Sequence, residues 1–265
     1  MAEIHSTAVV DKNAEIADDV CIGPYCVVGP GVKIGAGTKL MSHVVVDGLT
    51  TIGRQCAVFP FASIGTQTQD LKYKGGKTYV EIGDETTLRE YVTVNSGTME
   101  GDVTRVGSRC HIMAYSHVAH QCVIGDEVII ANAGTLAGHV IVEDMAIIGG
   151  LCGVHQFVRI GRMCIIGGCS KVVKDVPPFM MADGNPALVR GLNSIGLQRR
   201  NVPAETRSII KKALKIIYRR GLSPKNALVA MENELPACNE VECLKVFLKQ
   251  SERGIAGATF SKDAE

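Results

Sequence analysis

Apolar residues recur every six positions over two-thirds of the chain. The series opens at Ile4, Val10, Ile16, Ile22 and Val28 and runs to Ile64. The same phase returns at Ile82, Leu88 and Val94, and again from Val106 to Val172. Of the 29 slots between 4 and 172, only Asp70, Gly76 and Glu100 are not Ile, Leu or Val. A period of six suits neither an α-helix, at 3.6, nor a flat strand, at two. It suits a short strand plus a turn, three of which close one coil of a triangular prism with the aliphatic side chains stacked inside. The predicted fold is therefore mainly β, a parallel β-helix of hexapeptide repeats. Residues 18 apart then lie one above another at about 5 Å, the spacing of paired strands.

Other slots of the hexad refine this picture. Counting the aliphatic slot as one, the fifth is small or β-branched, as at Ala8, Val20, Val32 and Thr38. Six of the ten cysteines fall there: Cys26, Cys56, Cys110, Cys122, Cys152 and Cys164. They read as small buried hydrophobes that need no redox role. The second slot is often Gly, as at Gly23, Gly35, Gly53, Gly107 and Gly149, which predicts an unusual backbone conformation there.

Two segments break the inward pattern. Thr66–Tyr79 gains charge and Gly and is expected to loop out of the prism; Met99–Arg105 is a smaller interruption. Loops on a rigid scaffold are where binding residues collect, although a plain surface excursion fits the same composition. The repeat ends near Val176-Pro177-Pro178, and a linker rich in Gly and Asn follows. Pro203 then opens a helix over Ala204–Arg220, stopped by Gly221, with Ile209, Ile210, Ala213, Leu214, Ile216 and Ile217 as its apolar side. Helical stretches near Lys225–Glu234 and Glu240–Gln250 complete a small bundle. The expected division is a β-helix domain at 1–187 and an α-helical domain at 188–265.

Composition narrows the function. The chain has 28 Lys plus Arg against 27 Asp plus Glu, so no global field points to nucleic acid or to a membrane surface. No apolar run approaches the roughly 18 residues that span a bilayer, and Met1–Ala8 lacks a signal pattern. A cytoplasmic protein with reduced thiols is expected. Charge is locally uneven, however. Between Arg199 and Lys225 nine basic side chains face the single carboxylate of Glu205, which suits either a solvated helix face or an acidic protein partner.

Chemistry has to come from polar residues on the prism. His120, His139 and His155 are 19 and 16 residues apart, close to one coil each time, so they are expected along one edge, bordered by His117. A neutral imidazole can take a proton from a hydroxyl near pH 7. Such a column also fits surface histidines or a three-His zinc site.

The segments MAYSHVAHQC, TLAGHV, GGLCGVHQFVRIG, TQDLKY and GLQRR resemble the UDP-N-acetylglucosamine acyltransferases of lipid A synthesis, and the similarity extends from Ile4 through the C-terminal helices. The resemblance implies left-handed coiling, an exception to the usual right-handed crossover. It implies a homotrimer, with sites between subunits, that moves an R-3-hydroxyacyl chain from acyl carrier protein to the 3-hydroxyl of UDP-N-acetylglucosamine. No metal or free cofactor is implied. By similarity His120 is the general base and the N–H of Gly138 stabilises the oxyanion. Gln69, Asp70 and Lys72 match positions near the sugar and acyl donor, and His117, His139 and Gln156 match others lining the cleft. Asn193, Arg199 and Arg200 match the uridine-diphosphate side, and Gly168 matches the bottom of the acyl groove. Three positions depart from the pattern: Gln121 where many members carry Asp beside the base, Ile195 where several have Glu, and Pro186 where a His can occur. A hexapeptide acyltransferase using an amino acceptor or coenzyme A is the alternative, with a zinc hydratase of carbonic-anhydrase type or a purely structural solenoid further off.

Overall fold

A computed structural model describes residues 1–259. It is a left-handed parallel β-helix, followed by a hairpin and four helices. The short strands from Glu3–Ile4 to Lys171–Val172 form three parallel sheets, the faces of the prism. Each strand pairs with the one a coil later: Ile4 with Ile22, Val10 with Val28, Ile16 with Ile34. The six-residue slots point inward as expected. Ile52, Ile64, Leu88, Ile112, Ile130, Leu136, Ile148, Ile160 and Ile166 are among the largest fully buried side chains. Each such burial contributes about 1.5–3 kcal/mol, and no polar side chain could share the axis without a partner.

The six hexad cysteines are buried. Their thiols donate to carbonyls of the neighbouring coil, as from Cys56 to Gly83 at 3.1 Å and from Cys152 to Gly167 at 3.0 Å. Burial pushes the Cys110 thiol up to about 11 and Cys122 to about 12, so neither forms a thiolate near neutrality.

Gly65, at φ +79°, takes the expected left-handed conformation, but most second-slot glycines have a different cause. Their φ angles lie outside the left-handed region at Gly23, Gly35, Gly53, Gly107 and Gly149. In most turns the left-handed residue is instead the fourth slot, filled by Tyr25, His43, Phe61, Tyr91, Tyr115, Gln121, His139 and Phe157 among others. What excludes a side chain from the second slot is the next coil. A Cβ on Gly35 would stand 2.7 Å from the backbone of Gly53, and one on Gly107 would stand 2.5 Å from that of Gly125.

Both interruptions leave the prism where expected. Residues 67–78 run outside regular strand between Ser63–Thr66 and Tyr79–Ile82. The smaller excursion is shorter than predicted, because Val103–Val106 is already strand. The linker is more ordered than its composition suggested. Met180–Gly184 and Ala187–Leu192 form an antiparallel hairpin whose first strand pairs with Ile165–Ile166, so the expected division after 187 falls inside a strand. Helix α1 (Ser194–Arg199) follows at once, capped by the Asn193 side chain. Helices α2 (Ala204–Arg219), α3 (Pro224–Glu234) and α4 (Asn239–Gln250) match the predicted stretches, and Gly221 after α2 takes φ +62°. Helix α2 buries Ile210, Ala213, Leu214, Ile216 and Ile217 and leaves Lys211, Lys212, Lys215 and Arg219 exposed. Among the described residues no helix is long and apolar enough to cross a membrane.

Candidate functional site

One corner of the prism carries the histidines. Turn residues stack there coil upon coil, so Gln121, His139 and Phe157 form one column, with His120, Gly138 and Gln156 beside it. The peptide N–H of His139 donates to the His120 carbonyl at 3.0 Å, and that of Phe157 to Gly138 at 3.2 Å. The His120 and His139 rings meet edge to face, 5.3 Å between centroids, and Phe157 stacks on His139 at 4.6 Å. Phe157 thus occupies the place expected for a third histidine. His155 lies on the same coil but is exposed, its Nδ1 within 3.0 Å of the Gln156 carbonyl oxygen.

Beside this corner lies a cleft of about 580 Å³. Its walls bring together Gln69, Asp70 and Lys72 from the extruded loop with His117, His120, Gly138, His139 and Gln156 from the prism. The loop is rooted by Asn95, 5% exposed, whose Nδ2 donates to the carbonyl oxygens of Thr66 and Gln67. Asn95, Leu71 and Phe157 also line the cleft and were missed in the sequence. A polar residue directly after the inward Val94 was the available signal for Asn95.

His120 is seated closely. Its side chain is 16% exposed, and its ring lies flush on Gly138: a Cβ there would meet ring atoms at 2.2, 2.4 and 2.8 Å. Its Nε2 lies 3.9 Å from Oδ2 of Asp70, and its Nδ1 is hydrogen-bonded to Oε1 of Gln121. The Lys72 backbone N–H, 3.0 Å from Asp70 Oδ1, holds the Asp70 carboxyl below the usual carboxylate value, and the charge of His120 acts the same way. Burial first, and His120 second, keep the imidazoles of His117 and His139 below the ordinary histidine value. His117 is fixed by Thr93, with Nδ1 and Oγ1 2.7 Å apart. The arrangement therefore offers an ionised Asp70 carboxylate and two imidazoles, His117 and His139, held toward the neutral form around the His120 ring, a setting suited to proton transfer with a bound hydroxyl. Among the described residues no three His, Cys, Asp or Glu side chains are grouped to hold a metal ion.

Other expected residues lie elsewhere. Asn193 is buried, donating to the Met163 carbonyl at 2.8 Å and accepting from Gly196 N–H at 3.0 Å. Arg200 is bonded to Glu127, and Arg199 is exposed nearby at the end of α1. Glu127 and Met163 belong to a different corner of the prism from His120. Gly168 sits on the third corner, one coil from Gly150.

Sequence and structure comparisons agree. Residues 175–256 match the family model described as UDP-N-acetylglucosamine O-acyltransferase, domain 2, and residues 2–36, 13–48 and 104–137 match the bacterial transferase hexapeptide. The acyl-[acyl-carrier-protein]--UDP-N-acetylglucosamine O-acyltransferase of Thermodesulfovibrio yellowstonii is 52% identical, covering 96% of this chain and 99% of that protein. The chain belongs to the UDP-N-acetylglucosamine O-acyltransferase family. The Syntrophobacter fumaroxidans member is 47% identical over 96% of this chain and 99% of its own length. The solved structure of the Acinetobacter baumannii protein superimposes with a TM-score of 0.93 at 46% identity, covering 96% of this chain and 99% of that one. The Francisella novicida enzyme gives 0.92 at 39%, with 98% and 95% covered.

Proposed function

We propose that this family member transfers an R-3-hydroxyacyl chain from acyl carrier protein to the 3-hydroxyl of UDP-N-acetylglucosamine, the first step of lipid A synthesis, with His120 as general base. The observation that carries the reading is the seat of His120: a largely buried imidazole, tied at Nδ1, whose Nε2 faces Asp70 in the cleft. A sugar hydroxyl held there gives its proton to Nε2 as its oxygen attacks the thioester carbonyl. The negative charge that develops on the carbonyl oxygen needs a donor. The Gly138 N–H, which donates to no acceptor among the described residues, borders the same cleft. Collapse of the tetrahedral intermediate expels the carrier thiolate, and the imidazolium proton neutralises it. The thioester supplies the leaving group, so the chemistry requires neither metal nor free cofactor.

Gln69, Asp70 and Lys72 then flank the sugar and acyl donor, and His117, His139 and Gln156 shape the wall. Asn193, Arg199 and Arg200 form the uridine-diphosphate side, while the exposed basic face of α2 receives the acidic carrier protein in the cytoplasm. The two groups lie on different corners of one prism, so a complete site takes two chains side by side. That supports a homotrimer with clefts between subunits, the prism supplying the chemistry and the helical region the donor contacts. Mass spectrometry of products from UDP-N-acetylglucosamine and a panel of acyl carrier thioesters tests the reaction. His120→Ala is expected to keep the assembly and lose turnover. A folded variant that retains most of the activity removes His120 as the base.

A further inference from the structure

The residue after the base is an amide, so position 121 cannot itself place a carboxylate on the imidazole. The structure shows what that amide is doing. Gln121 takes the left-handed turn conformation, with φ 52°, and its backbone N–H donates to Thr104 Oγ1 at 2.9 Å. Its side chain bridges two groups: Oε1 meets Nδ1 of His120, and Nε2 meets Oδ2 of Asp102. Asp102 is itself held. The same Oδ2 accepts the Met99 N–H at 2.7 Å, and Gly97 lies so close that a Cβ on it would stand 2.3 Å from Cβ of Asp102.

Donor and acceptor chemistry gives this chain one direction. An ionised carboxylate accepts hydrogen bonds and cannot donate, so Asp102 takes the NH₂ end of the Gln121 amide. The amide oxygen is then turned to His120, where Thr98 Oγ1 also approaches it at 3.4 Å. A carbonyl oxygen only accepts, so Nδ1 of His120 carries the proton and Nε2 keeps its lone pair toward the cleft. Without Asp102 the amide can turn over, present NH₂ to Nδ1, and leave the lone pair on the wrong nitrogen.

We infer that Asp102 is a positioning residue for His120, acting through the Gln121 amide to fix the base tautomer and to stabilise the imidazolium formed during transfer. No proton passes along the amide; it transmits orientation and dipole. Asp102 thereby supplies, from the smaller loop, the carboxylate that position 121 lacks. The inference rests on the reading of His120 as base. The other charged or titratable groups facing that imidazole are Asp70 and Lys72 from the large loop and His117 and His139 from the adjoining strands and turns.

The test is the pH profile of kcat/KM in otherwise intact enzyme. Asp102→Asn keeps the side-chain shape, and its oxygen can still accept from Met99, but the charge is gone. We expect kcat to fall about tenfold with the KM for the sugar nucleotide little changed, and the acidic limb to move down by about one pH unit, the small end of what an opposite charge exerts. Gln121→Met, which removes the bridge without touching Asp102, should move the limb equally, and the double variant should add nothing. Gln121→Glu in the Asp102→Asn background should restore the limb by placing a carboxylate directly on Nδ1. Should Asp102→Asn not fold, the shift in Gln121→Met alone decides. An inactive His120→Ala combined with an unmoved acidic limb, or with additive losses in the double variant, overturns the inference and leaves the base reading standing. An active His120→Ala overturns the base reading itself.

Discussion

Replacing Gly138 with Ala should inactivate the enzyme by moving His120 while leaving the fold intact. The added Cβ would sit 2.2 Å from the nearest ring atom, and ordinary contact begins near 3.4 Å, so the ring must retreat by about 1.2 Å. The Gly138 backbone is outside the left-handed region and accepts an Ala, and the N–H proposed for the oxyanion is retained. The loss is therefore confined to the imidazole, which has the open cleft to swing into. A displacement of about 1 Å in a catalytic group costs on the order of a hundredfold, or about 2.7 kcal/mol of transition-state stabilisation. Steady-state kcat/KM with purified acyl carrier thioester, beside a thermal melt, measures both sides of the expectation. Activity should fall about a hundredfold with Tm nearly unchanged. In a His120→Ala background, where no ring remains to displace, Gly138→Ala should cost nothing further. A variant within threefold of the parent, or an equal loss with and without the His120 ring, would refute the reasoning.

Two further expectations concern the donor. Lys211→Glu and Lys215→Glu should chiefly raise the KM for acyl carrier protein, and added salt should imitate them because exposed charges are screened beyond about 10 Å at 0.1 M; a salt-independent, unchanged KM would mean the basic face is merely solvated. Reversal at Arg200 should also lower Tm, since it would set a carboxylate against Glu127. Gly168→Met should shift preference to shorter acyl chains without abolishing activity. A Cβ there meets only the Gly150 carbonyl at 3.4 Å, so the side chain fits, and overpacking the groove costs about 1–3 kcal/mol against the longest donors. An unchanged profile of kcat/KM against donor length would place the end of the groove elsewhere.

The prism was legible because its rule is local and repeated: an inward slot on every strand admits only an aliphatic side chain. The histidine column was legible only in part. Spacing placed His120, His139 and His155 on one corner, but the turn geometry lets a fourth-slot residue face its neighbour, and in the third coil that residue is Phe157 rather than His155. Glycine in the second slot is legible by position but not by cause, since composition does not distinguish a special φ, as at Gly65, from a close approach of the next coil, as at Gly35. The hairpin of Met180–Gly184 with Ala187–Leu192 carries little strand patterning because its packing comes from the end of the prism and from the C-terminal segment, where Val189 bonds to Gly257 and Thr259. Asp102 was illegible altogether. It lies in an interruption, 19 residues before Gln121, and only the folded loop brings it to the amide.

The corner occupied by Tyr25, His43, Phe61, Tyr91 and Tyr115 stacks these rings one per coil, with centroids 4.8–5.0 Å apart. Such a ladder couples its chromophores only while the coils keep register, and the chain has no Trp to mask the signal. Solenoids can unravel coil by coil from an end rather than all at once. Near-ultraviolet circular dichroism would therefore act as an optical gauge of the N-terminal coils, because the ladder stops one turn before His120. Loss of that signal ahead of activity would record fraying that starts at Met1 and advances toward the site.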